Sequence, residues 1–268
     1  MARLALQNSS LPDVEIIRDF EGCAAAGVEP LTFHMRPFVE EMYGDALEVT
    51  GEPIVPLGGT KLVKLWRSAK TPSNWIVHFD ERAFDQRTWS AKLGPLAINH
   101  DAVFSRLGEQ REIRLETAKF VKPCRDLKAF AGLVVPAGQT LGEALAGVQQ
   151  DGSLTDDEPI LLAPLREIEA EFRVWVIGDK IVETSQYKLS GHVSSRRLSW
   201  DESRALVHVA EEVHQLAAPV RAYVVDLAYT TEGIRVIEMN CINCAGRYAA
   251  DRGAIFRALL DLAAASRY

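Results

Sequence analysis

Apolar and polar positions recur with two different periods along this chain, and each change of period marks an element. From Ser10 to Gly27 the spacing is helical. Ile16, Ile17, Phe20 and Ala24 fall on one face, Ser10 stands as a cap, Pro12 fits the first turn and Gly27 ends it. A second short helix is expected from Pro37 to Gly44. Ile54 to Gly59 reads as a strand and turn, Lys61 to Trp66 as a further strand, and Asn74 to Phe79 as a buried strand. Trp89, Gly94 and Pro95 mark a crossing between units, and residues 101–108 read as a short helix between Asp101 and Gly108. Arg111 to Pro123 suits two short strands or one bent one, Thr140 to Val148 a short helix, and Ile160 to Leu165 a buried strand.

The pattern is clearest in the second half. Glu171 to Ile177 and Lys180 to Tyr187 flank Gly178-Asp179 as a hairpin. Phe172, Val174 and Val176 share one face of it, and Arg173, Trp175 and Ile177 the other. Ser199 with Glu202 three residues on is a capping box. The helix it opens runs to about Ala217, with Leu206, Val209, Val213 and Leu216 inward and His208 and His214 solvated. Asp251 to Ala265 forms a last helix with Ile255, Leu259 and Leu262 inward. Mixed short strands and helices of this kind indicate an α/β fold.

Composition narrows the class. With 268 residues, 47% of them hydrophobic, the chain buries a substantial core in one large unit or two compact ones. The formal net charge is −7 and no Lys/Arg block stands out, which argues against nucleic-acid or membrane-surface binding. No apolar run reaches the roughly 20 residues of a spanning helix, and no signal-peptide core precedes the first helix. A cytoplasmic protein is the expectation. Its 4 cysteines, Cys23, Cys124, Cys241 and Cys244, suit reduced thiols.

The candidate chemistry centres on Arg221 to Tyr248. Tyr223, Val224, Val225 and Leu227 form a strand, Thr231-Glu232-Gly233 a turn, and Ile234, Val236 and Ile237 a second strand. Glu238 and Asn240 are two apart, so both point to one face, and a hairpin brings Asp226 beside them. Two carboxylates and an amide oxygen suit Mg²⁺, a hard ion that takes few protein oxygens. The same residues also suit the wet face of a half-exposed hairpin. Lys122 projects from a strand end, because Pro123 holds it extended, and suits either a phosphate or plain solvent. Arg36, Arg67, Arg82 and Arg87 read as an anion site or as surface, and His34 and His78 as structural residues. The basic segment from His192 to Arg197 reads as a substrate loop. Cys241 and Cys244 fit small buried thiols better than a zinc or redox pair, since no second cysteine pair accompanies them.

Taken together, Phe120-Val121-Lys122-Pro123, Glu171-Phe172-Arg173-Val174, Asp226, Glu238-x-Asn240 and Gly246-x-Tyr248 resemble the ATP-grasp enzymes. The likeness runs from about Ile113 to Tyr248 and is nearest to the R-two-K clade, named for two arginines and a lysine. It implies an ATP-grasp fold: a small N-terminal α/β domain over residues 1–105, a central lobe over 106–165 and a C-terminal lobe with the metal site over 166–268. The activity implied is an ATP-dependent carboxylate–amine ligase that works through an acyl phosphate, with ATP and Mg²⁺ (or Mn²⁺) as cofactors. Asp226, Glu238 and Asn240 would hold the metal, and Lys122 the nucleotide phosphates. Arg125 and Lys128 stand where many relatives have a glycine-rich phosphate loop. Lys92 or Arg87 would supply a further upstream cation. The backbone at Ala163 and Leu165 would meet the adenine edge, and Glu171 the ribose, with Lys188 beside it. Arg173, Lys128 and Arg247 are the candidate catalytic groups. Val224 occupies the place, two before the metal Asp, where many relatives carry an Arg that steadies the tetrahedral intermediate; Arg221, Arg247 or Arg173 would substitute. Partners would be a small-molecule or peptide carboxylate and an amine, with a homodimer allowed. A phosphotransferase on the same fold and a non-catalytic nucleotide-binding module are the rival readings, and the intact metal set argues against the module.

Overall fold

The computed structural model describes residues 1–8, 14–36, 41–68, 70–127, 129–147 and 154–265, and the described residues form three sheets. The expected features at Ser10, Pro12, Pro37, Lys128 and Val148 lie outside them.

The first sheet is built from β1 (Arg3–Gln7), α1 (Val14–Ala25), β2 (Leu31–Met35), β3 (Met42–Tyr43) and β4 (Ile54–Leu57). Its order is β3-β2-β1-β4, with β1 parallel to β2 and β4. The buried face of α1 is Asp19, Gly22 and Cys23, and Ile17 is exposed, because Asp19 is drawn inward by Arg247 and Arg252. Lys61–Arg67 is a helix, α2, rather than the expected strand. Leu62, Val63 and Leu65 are buried there, a short apolar spacing that fits either element until the packing decides. Met42–Tyr43 is likewise a strand where a helix end was expected. The 74–79 segment touches the sheet at a parallel bridge between Ile54 and Trp75.

Next come α3 (Gln86–Leu93), β5 (Val103–Arg106), α4 (Leu107–Gln110), β6 (Lys119–Pro123), β7 (Leu133–Val135), α5 (Leu141–Leu145) and β8 (Pro159–Pro164). The strands form an antiparallel sheet in the order β5-β8-β6-β7. Residues 101–108 therefore contain a strand and the start of a helix where a single helix was expected, since pairing with β8 outweighs local pattern. The expected boundary at residue 105 falls inside β5.

The last sheet holds β9 (Ala170–Ile177), β10 (Lys180–Leu189), β11 (His192–Arg197), β12 (Ala222–Thr230) and β13 (Gly233–Cys241), with α6 (Trp200–Ala217) and α7 (Arg252–Ala265). It runs β11-β10-β9-β12-β13, all antiparallel. One face, through Trp175, Ile177 and Val224, packs with α7 and the first sheet. The other, through Phe172, Val174 and Tyr223, packs with α6 and with Phe84, Trp89 and Leu93, so α3 shares the core of this sheet. The predicted face alternation of β9 is observed. His192–Arg197 is an edge strand, not a loop, and its arginines pair with Glu202 and Glu183. The Ser199 capping box forms as expected. The inward stripe of α6 is Leu206, Ala210, Val213 and Ala217, while Leu216 is exposed and His214 is half-buried, 3.3 Å from the Tyr223 hydroxyl.

Asn243, just past β13, ties the first sheet to the last. Its Nδ2 donates to the carbonyls of Pro56 (2.7 Å) and Ile76 (3.2 Å), and its Oδ1 accepts from the His78 N–H at 2.7 Å. Among the described residues no helix is long and apolar enough to cross a membrane.

Candidate active site

Strand register assembles the site. Antiparallel pairing sets Arg173 of β9 directly opposite Asp226 of β12, and sets Asp226 opposite Glu238 and Val224 opposite Asn240 on β13. All four polar side chains thus fall on one face, as alternation requires. Arg173 grips Asp226 with both arms of its fork: Nε donates to Oδ1 at 2.8 Å and Nη2 to Oδ2 at 2.7 Å. Its Nη1 donates to the Gly246 carbonyl at 3.1 Å. Asn240 Nδ2 then bridges to Asp226 Oδ2 (3.3 Å) and Glu238 Oε1 (3.0 Å). Lys122 Nζ, at the end of β6, completes the line by donating to Glu238 Oε2 at 3.1 Å. The contacts therefore run unbroken from the middle of the last sheet to the antiparallel sheet that faces it.

Arg173 lies beside a stacked pair of tyrosines. Its guanidinium carbon is 5.1 Å from the Tyr248 ring centre and 5.8 Å from that of Tyr187, and the two rings stack 4.9 Å apart. Tyr248 has a φ of 46°, a left-handed backbone uncommon outside glycine, which persists where surrounding contacts enforce it. Burial opposes the charge on Arg173, but the adjacent Asp226 carboxylate and its hydrogen bonds raise the pKa above the usual arginine range. Tyr187 is pushed up by burial and then by Asp226 and Glu171, so it stays a donor, and its hydroxyl donates to Glu171 Oε2 at 2.8 Å. Lys188 Nζ sits 2.9 Å from the other oxygen of Glu171.

A cavity of about 400 Å³ opens beside this line. Lys122, Arg125, Asp126, Glu238 and Asn240 give it a polar wall, and Phe84, Trp89 and Phe130 an aromatic one. Asp226 does not line it; it is 1% exposed and lies behind Asn240, held by Arg173. Glu238 and Asn240 lie at the cavity wall, both Asp226 oxygens are taken by Arg173, and among the described residues no group of three or more His, Cys, Asp or Glu side chains is placed to hold a metal ion.

The other expected residues fall as follows. Arg125 lines the cavity within 4.0 Å of Glu81 and 3.8 Å of Glu158. Ala163 is buried opposite Phe120 on β6, and Leu165, just past β8, is about half exposed. Arg247 is turned toward α1 and α7, 3.3 Å from Asp19 and over the Phe256 ring. Arg87 is engaged by Asp85 at 2.6 Å, and Lys92 is exposed. Of the three arginines considered as substitutes for Val224, Arg173 is the one that grips Asp226. Cys241 is buried and its thiol is pushed up by a hydrogen bond with Cys244 and by burial, which keeps it protonated. Pattern gave no sign of Gln86, which also lines the cavity, or of Asp126, whose Oδ2 accepts from the Cys241 N–H at 2.8 Å. Both follow from tertiary contacts between segments far apart in sequence.

A family model described as the ATP-grasp domain of the R-two-K clade, family 3, matches residues 64–259. No curated protein matches the sequence. Among solved structures, a D-cycloserine synthetase aligns at TM-score 0.60 and 15% identity, over 97% of this chain and 99% of that one. A RimK domain ATP-grasp protein from Sphaerobacter thermophilus aligns at 0.58 and 14%, over 96% and 99%. D-alanyl-alanine synthetase A from Vibrio cholerae aligns at 0.56 and 13%, over 90% and 88%. At such identities these likenesses establish the fold alone, and that fold is ATP-grasp.

Proposed function

The chain belongs to the ATP-grasp superfamily, in family 3 of the R-two-K clade, and from that premise we propose that it is an ATP-dependent carboxylate–amine ligase. The observation that carries the reading is the line of contacts from Lys122 through Glu238 and Asn240 to Asp226 and Arg173. It gathers a lysine ammonium, two carboxylates, a carboxamide and a buried guanidinium at one place, which supports the reading.

In this reading the substrate carboxylate attacks the γ-phosphorus of ATP, ADP leaves, and an acyl phosphate results. The amine nitrogen then attacks the acyl carbon, loses a proton and expels phosphate, which leaves an amide or peptide bond. No covalent intermediate with the protein is needed, so the residues work by positioning and electrostatics. Lys122 brings a point charge to phosphate oxygens from a strand end that Pro123 keeps extended. Glu238 and Asn240 would hold Mg²⁺ at the cavity wall with Asp226 behind them, and that ion when bound neutralises phosphate charge. Arg173 takes the part of the arginine missing at Val224 and steadies negative charge on the tetrahedral intermediate. Glu171, with Lys188 and Tyr187 fixing its carboxylate, receives a ribose hydroxyl.

Thermal unfolding of wild type and Glu238→Gln, each with and without ATP and Mg²⁺, tests the nucleotide site. Ligand at about 100 times its Kd adds roughly 2.7 kcal/mol to the folded state. A Mg²⁺-dependent rise in wild type that shrinks in the variant is expected. No rise in wild type at saturating nucleotide would overturn the reading. Mixtures of acids and amines are then screened for ADP release with an amide product; a stable phosphorylated acceptor without amide would point instead to a phosphotransferase.

A further inference from the structure

Lys122 and Glu238 both line the cavity of about 400 Å³, yet they belong to different sheets, Lys122 to β6 and Glu238 to β13. The protein pairs them with each other. Lys122 Nζ donates to Glu238 Oε2 at 3.1 Å, and Glu238 Oε1 accepts from Asn240 Nδ2 at 3.0 Å, so a hydrogen bond falls on each carboxylate oxygen. The lysine side chain is 13% exposed and the glutamate side chain 32%, so water and salt screen this pair less than an ion pair at the open surface. Arg125, on the same wall, is held less closely. It stands 4.0 Å from Glu81 and 3.8 Å from Glu158, beyond hydrogen-bond length.

We infer that Glu238 is an internal competitor for Lys122: it occupies the ammonium that a nucleotide phosphate would take, and so disfavours nucleotide that arrives without a cation. The inference rests on the reading above that Lys122 meets the nucleotide phosphates. A lysine ammonium is a compact point charge, and carboxylate and phosphate oxygens compete for it on the same terms. A free nucleotide must first part Lys122 from Glu238. It then leaves an uncompensated carboxylate in the same cavity as its own phosphates, where like charges repel. A cation that engages Glu238 removes both penalties. Glu238 is thus a specificity-determining residue that discriminates against the bare polyphosphate.

Calorimetric titration with ATP in the presence of EDTA reads the competition. Glu238→Gln keeps the shape of the side chain and removes its charge, and Glu238→Ser removes both charge and reach. Both are expected to bind metal-free ATP about tenfold more tightly than wild type. Removing any negative charge near an anion raises affinity somewhat through the general field, so the gain is measured again in a Lys122→Gln background. There it is expected to fall to about twofold or less, or to disappear with binding itself, because the ammonium that Glu238 occupies is gone. A gain that persists undiminished beside Lys122→Gln would overturn the inference. So would metal-free affinity in both Glu238 variants that stays at or below that of wild type, including no binding by any of the three. Wild type titrated with ATP and Mg²⁺ separates the two readings. Failure to bind there overturns the ligase reading along with this one, whereas binding there without the metal-free gain overturns this one alone.

Discussion

At the scale of single residues, His78 shows how an environment sets a titration. Its ring is largely buried, Nε2 has no partner among the described residues, and Arg221 adds positive charge nearby. Burial first and Arg221 second push its pKa down from 6.5 to about 4. The folded state thus refuses a proton that the unfolded chain accepts. The contribution to stability is complete above pH 6.5 and declines as pH falls toward 4, with a slope of up to ~1.4 kcal/mol per pH unit and about 3 kcal/mol in all. Urea unfolding at pH 7 and pH 5 checks this: His78→Gln is expected to lose less stability between the two than wild type. Parallel losses would place the acid sensitivity elsewhere. The sequence marked His78 as structural, and its backbone bond to Asn243 agrees with that. Its unpaired ring nitrogen was not legible, because it depends on what the fold stacks around it.

At the scale of elements, the Arg173–Asp226 pair couples β9 to β12 in the middle of the last sheet. Such a pair is sensitive to losing one member, because the other is left as an unpaired buried charge. Arg173→Met is expected to destabilise by about 3–5 kcal/mol in urea unfolding. Arg173→Met combined with Asp226→Leu is expected to cost less than the two single changes added together. Strict additivity would mean that the two side chains do not depend on each other. The long hairpins and α6 were legible because alternation, turn residues and the Ser199 capping box agree with one another. The segments 61–67 and 103–106 were misread because they are short, and short apolar runs carry no decisive period.

At the scale of the whole molecule, the N-terminal sheet is joined to the last sheet and its helix by Asn243 and by a charge cluster. Asp19 of α1 meets Arg252 of α7 at 3.0 Å and Arg247 at 3.3 Å. Burial raises the Asp19 pKa and the two arginines oppose that rise. The helices approach closely at Gly22, where an added Cβ would come 2.4 Å from Arg252 Cβ. Gly22→Ala is therefore expected to push α1 from α7 and to destabilise by about 1–3 kcal/mol, read as a lower Tm. An unchanged Tm would show that the junction gives way without loss. The same junction explains Arg247: a candidate for catalysis by its place in sequence, it is engaged by Asp19 and Phe256 in space.

By itself the sequence determined what local chemistry controls. Strand alternation put Asp226, Glu238 and Asn240 on one face, Pro123 held Lys122 extended at a strand end, and Ser199 with Glu202 began α6. Tertiary structure alone decided which groups meet across strands and sheets. Register set Arg173 against Asp226, docking of β6 brought Lys122 to Glu238, and the packing of α3 tied the Gln86 N–H to the Cys124 carbonyl. The physical reason is the same in each case. Period and turn chemistry act over a few residues, whereas these contacts join residues 53 and 116 positions apart, and only burial of the shared core brings them together.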